Sequence, residues 1–94
     1  MSYITISHWI AEEWNDEMEA VARNKFQPMV MLMGASGVQF LRTGALTMSV
    51  VTHFADEAAA TDAKAKIAVI RAKAADELPI KMDTSVCGNV FTSA

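Results

Sequence analysis

The chain has 94 residues, of which 52% are apolar and 20% charged, with a formal net charge of −3 and a sequence pI near 5.2. That length suits one domain, and no cluster of Lys or Arg offers the basic footprint that nucleic-acid binding requires. The longest apolar stretch, Met29 to Ala35, falls far short of the ~20 residues of a spanning helix. The N-terminus lacks the basic-then-apolar pattern of a secretory signal.

A mean hydropathy of +0.20 is high for so small a body. A domain of this size hides only about 60–65% of the surface its unfolded chain exposes, so the apolar excess calls for a second subunit. The one cysteine, Cys87, cannot form an internal disulfide and fits a reducing cytoplasm.

Tyr3 to Ile10 alternate with period two and read as a strand. Ile4, Ile6, His8 and Ile10 make an aliphatic face, expected to meet the helices. Tyr3, Thr5, Ser7 and Trp9 make the other. From Ala11 the period changes. Trp14, Met18, Val21 and Ala22 fall at helical spacing, with Glu12, Glu13, Asp16, Glu17 and Glu19 opposite and acidic residues leading, as the helix dipole favours. Pro28 lacks a backbone donor and should kink or restart the helix, and Gly34 is the expected stop.

Val38 to Thr43 and Leu46 to Phe54 form two strands around Thr43-Gly44-Ala45, a hairpin signal. Asp56 can cap a second helix running to about Glu77. Ala59, Ala63, Ile67, Ile70 and Ala74 line one side of it, and Lys64, Lys66, Arg71 and Lys73 form a solvated charged side. Pro79 ends that helix, and Ile80 to Phe91 supplies a last strand.

The order β-α-β-β-α-β predicts an α+β, ferredoxin-like domain over residues 1–94. It has a four-stranded antiparallel sheet in the order 4-1-3-2 with two helices on one face. The other face would carry Tyr3, Thr5, Ser7 and Trp9 beside Thr47, Ser49, Val51 and His53. A second copy stacked sheet to sheet would cover it, which predicts a homodimer.

Several segments resemble the dimeric α/β-barrel superfamily that includes the antibiotic-biosynthesis-monooxygenase-like (ABM-like) proteins, most closely its small bacterial members. They are Leu32-Met33-Gly34-Ala35, Phe40-Leu41-Arg42-Thr43-Gly44, Met48-Ser49-Val50-Val51-Thr52 and the Phe54-Ala55-Asp56 start of an Ala-rich helix. The resemblance spans nearly the whole chain, but its motifs are structural. It implies a dimeric barrel and a range of activities: cofactor-free monooxygenases, haem degraders, isomerases and proteins without established activity. The haem degraders use a histidine on the second helix, which has none here, so no cofactor is expected.

His8 is the first candidate for chemistry, as a general base or ligand-orienting group; the alternative is a histidine satisfied by its surroundings. With Arg42 it would supply two polar groups to a mostly apolar pocket formed by Trp14, Met18, Met48 and Met82, the make-up of a small-molecule site. Against that, Trp and Met also simply fill cores. A two-residue hairpin turn would face Arg42 toward the barrel, and a three-residue turn would keep it with Phe40 on the helix side. His53, Trp9 and Cys87 are expected on the barrel face, packing across the dimer. Two histidines and one cysteine offer no metal-ligand spacing, and Gly34-Ala35-Ser36-Gly37 is not a nucleophile elbow.

Two readings follow. One is a small-ligand protein, a cofactor-independent monooxygenase or isomerase acting on a hydrophobic or aromatic molecule. The other is a non-catalytic homodimeric module with a solid core, holding no cavity larger than a few waters.

Overall fold

A computed structural model describes residues 2–94. Its elements are β1 (Tyr3–Ala11), α1 (Asp16–Val21), a π-helical turn (Ala22–Phe26), α2 (Gln27–Met31), β2 (Gly37–Arg42), β3 (Thr47–Phe54), α3 (Glu57–Glu77) and β4 (Ile80–Asn89). The strands form one antiparallel sheet in the order β2-β3-β1-β4, as the element order predicts.

The first helix starts later than the change of period suggests, because β1 continues to Ala11 and Asn15 provides the cap. The Asn15 side chain accepts a hydrogen bond of 2.9 Å from the Met18 backbone, satisfying one of the donors a helix start leaves free. Pro28 acts as expected, but through its upstream neighbours. It cannot donate, and its ring crowds the carbonyl four residues back. The wider π-turn over Ala22–Phe26 accommodates this without ending the helical run. Gly34 stops it, at a φ of +100° that residues with a Cβ rarely adopt.

The faces of β1 are the reverse of the sequence expectation. Ser7, Trp9 and Ala11 are buried, while His8 and Ile10 are exposed. Thr5, Ser7 and Trp9 line the space beneath Ala22, Phe26 and Ile67, so Ile4, Ile6, His8 and Ile10 face away from the helices. Two energies decide this. The Trp9 ring is the largest apolar surface on the strand, and its indole N–H donates to Ser7 Oγ at 2.8 Å, which removes the cost of burying that donor. Small Ser7 and Thr5 then leave room for Phe26 and Ile67 to reach the sheet.

Directly opposed residues of an antiparallel pair share a face. Ile6 opposes Val51, and His8 opposes Ser49. The bare side of the sheet therefore carries three isoleucines of β1 together with Val51, Leu41 and Val86, the last two exposed. It is more apolar than anticipated.

Two clusters make the core. Trp9, Ala11, Met18, Met48 and Ile80 pack at one end of the sheet, with Trp14, Phe40 and Leu78 against them. Val30, Ala35, Phe54, Ala60 and Ala63 pack at the other. Strand β4 lies beyond the helical cover, so that apart from Ile80 all of its residues are exposed.

Candidate functional site

Between the sheet and the helices lies a narrow apolar cavity of about 60 Å³. Its floor is Phe40, Met48 and Val50 with the hydroxyl residues Thr5, Ser7 and Thr52, and its roof includes Phe26, Ile67, Ile70 and Ala74. It exceeds the ~10–15 Å³ one water needs but is well below the ~300–1,000 Å³ of a formed ligand pocket.

Two clefts adjoin it. The first, of about 180 Å³, shares Trp14, Ala22, Phe40 and Met48 with the cavity and adds Glu19, Arg23, Gln27 and Arg42. The second, of about 390 Å³, shares Thr5, Ile67 and Arg71 with the cavity and opens between α3 and β4 past Tyr3, Ser85 and Cys87. The cavity therefore lies between two clefts on opposite flanks of the helical layer.

Of the six residues singled out from sequence, the structure brings four together. Trp14 is half-buried against the cluster that contains Met18 and Met48. Its indole N–H donates to Glu19 Oε2 at 2.9 Å. The Arg42 guanidinium carbon lies 5.8 Å from the Trp14 ring centre, within reach of a cation–π attraction. Arg42 Nη1 is 4.0 Å from Glu19 Oε2, and its Nη2 donates to the Ala45 carbonyl at 3.3 Å. The hairpin register decides its direction: four residues, Thr43 to Leu46, separate the strands, and Arg42 opposes Met48, on the helix side with Phe40.

His8 is not part of this group. It lies on the bare face, its Nδ1 hydrogen-bonded to Ser49 Oγ at 2.8 Å. Met82 also stands apart, 41% exposed on the edge strand, where the β1–β4 register shifts between His8 and Trp9. Met18 and Met48 are buried among apolar neighbours as packing residues.

Trp9 and Cys87 are corrected as well. Both fall on the helix side, Trp9 in the core and Cys87 opposite Thr5 in the second cleft. His53 does occupy the bare face, 3.4 Å from Gln39 Oε1. Among the described residues there is no group of three His, Cys, Asp or Glu that could hold a metal, and no helix is long and apolar enough to cross a membrane.

Arg71 is the functional candidate that the sequence reading assigned to solvent. It is half-buried, and loss of hydration draws its pKa below the ordinary arginine value, partly offset by the nearby Cys87. Its position in the chain held the signal. Arg71 follows Ile67 by four residues and precedes Ala74 by three, so it continues the apolar stripe.

The topology, the helices confined to one face and the cleft beneath them can be compared with known structures. SnoaB, a cofactor-independent oxygenase from Streptomyces nogalater, superposes with a TM-score of 0.73 at 13% identity, covering 98% of this chain and 95% of that one. The chain shares its fold with this oxygenase over nearly its whole length. Rv0793 from Mycobacterium tuberculosis shares this fold with a TM-score of 0.65 at 10% identity, covering 100% and 99% of the two chains. NE2512 from Nitrosomonas europaea, a protein of unknown function, gives 0.57 at 20% identity, covering 100% and 94%. No protein-family model matches the sequence, and no curated protein matches it significantly.

Proposed function

We propose that this ABM-like protein works as a homodimer that binds a small hydrophobic or aromatic molecule between its sheet and helices. The observation that carries the reading is the cavity beneath the helices, apolar except for the hydroxyls of Thr5, Ser7 and Thr52 and for Arg71. An apolar ligand gains from leaving water there, and a few polar groups orient it. At 60 Å³ the closed space is too small for such a ligand, so binding requires side chains between the cavity and its flanking clefts to move. The likeness to SnoaB adds cofactor-free oxygenation as the chemistry to assay first. No His, Asp, Glu or Lys lines the cavity. A turnover of this kind would rely on a substrate acidic enough to ionise without a side-chain base.

The small volume also supports the second reading, a homodimeric module with an essentially solid core. One experiment separates them. Trp9 and Trp14 both line the cavity, so quenching of intrinsic fluorescence by a neutral naphthalene probe reports occupation. Saturable quenching that is lost in a folded Ala74→Phe variant supports the ligand reading. Absence of saturable binding in the wild type leaves the solid module.

A further inference from the structure

Arg71 stands where the apolar cavity meets the cleft of about 390 Å³ between α3 and β4, lining both. The adjoining cleft holds two further basic residues: Arg42 has the Glu19 carboxylate at 4.0 Å and the Ala45 carbonyl at 3.3 Å, and Arg23 is exposed and keeps its hydration. Lys25 pairs with Glu77. Among the described residues Arg71 has no ion pair.

The surroundings of Arg71 explain this. Its neighbours three and four positions away on α3 are Ile67, Ala68, Ala74 and Ala75, none of them acidic. Glu57 is the one carboxylate lining the cleft. It lies fourteen residues earlier on the same helix, which at about 1.5 Å per residue is roughly 21 Å away along the axis. Lys64, about 10 Å away by the same rise, adds a second positive charge. The first and fourth strands contribute only hydroxyls and a thiol here: Tyr3, Thr5, Ser85 and Cys87.

We propose that Arg71 receives the carboxylate of an amphipathic ligand whose aromatic or aliphatic body occupies the cavity. The inference rests on the ligand-binding reading above and narrows it to apolar acids. A half-buried guanidinium has lost hydration without gaining a counter-charge, and a carboxylate restores that loss through paired, charge-assisted hydrogen bonds. Water in the cleft and the hydroxyl of Ser85 complete the solvation of the head, while the apolar lining takes up the body. An uncharged ligand would leave the cation as it is.

The test compares naphthoate with naphthamide, near-isosteric probes that differ in charge, by tryptophan quenching and calorimetry. Wild-type protein is expected to bind naphthoate about tenfold or more tightly than naphthamide, the scale of one hydrogen bond to a charged group. Arg71→Gln and Arg71→Met should remove that preference, so that the two probes bind each neutral variant equally; Arg71→Lys should keep part of it. Equal binding of the two probes by wild-type protein overturns the inference and leaves the ligand reading standing. A preference that survives both neutral variants overturns it too, and assigns the head to another cation. Failure of both probes to bind the wild-type protein overturns both readings.

Discussion

The His8 imidazole and the Ser49 hydroxyl, 41 residues apart in the chain, are hydrogen-bonded at 2.8 Å across β1 and β3. The bond lies on the sheet face that the helices leave bare, beside three isoleucines and Val51. In a dimer stacked through that face the pair would be desolvated.

His8→Ala is therefore expected to leave apolar-probe binding within about twofold and to weaken self-association by about 1 kcal/mol, because the Ser49 hydroxyl would then be covered in the dimer without a partner. Probe titration and sedimentation equilibrium on one preparation measure both. A loss of probe binding with unchanged association would return His8 to the ligand site.

Val51 opposes Ile6 near the middle of the same face. Val51→Glu would place a carboxylate in the proposed interface, and an unpaired buried charge costs about 3–5 kcal/mol. Light scattering should find a folded monomer for the variant and the proposed dimer for the wild type. A dimer that tolerates the substitution would mean that another surface associates.

Among the described residues Phe54 is the one large side chain sealed completely from solvent, and it packs with residues of α2 and α3 against the sheet. Phe54→Ala should destabilise the fold by about 3–5 kcal/mol through lost transfer energy and the cavity left behind. Urea unfolding with an unchanged m-value would show the loss as a lower midpoint.

The Asp56 side chain accepts from the Ala59 backbone at 2.8 Å and caps α3. Asp56→Ala should cost about 1 kcal/mol, whereas Asp56→Asn, which keeps the acceptor, should cost much less. Thermal unfolding of the two variants distinguishes a hydrogen-bond cap from a charge effect.

Tyr3 is the only tyrosine, so its ionisation can be followed by absorbance alone. A hydrogen bond with Cys87, then burial, then the nearby Cys87 and Glu57 charges raise its pKa above the ordinary value. The folded protein thus favours the neutral phenol. This contribution to stability is intact below the unfolded tyrosine pKa of about 10 and is lost as pH rises through the higher folded value. Cys87→Ala should move the titration midpoint down toward that of free tyrosine.

Local and periodic features were legible in the chain itself. Alternation in Tyr3–Ile10, caps at Asp56, the stop at Gly34 and the disturbance around Pro28 each depend on a few neighbouring residues, so the element order and the ferredoxin-like sheet follow from them. The direction of each strand face does not. The two sets of β1 side chains differ by one position, and counting aliphatics selected the isoleucines for the core. Only the packed structure shows that burying Trp9, with Ser7 satisfying its indole, outweighs them. The same choice turned His8 toward the bare face. Arg42 depended on a hairpin register that several turn lengths could satisfy. Arg71 lay within an apolar stripe that its charge concealed, and its isolation from carboxylates arises only when α3 is laid against β1 and β4. Chain-local energetics settled which elements form; the relation of each element to the others settled which side chains meet.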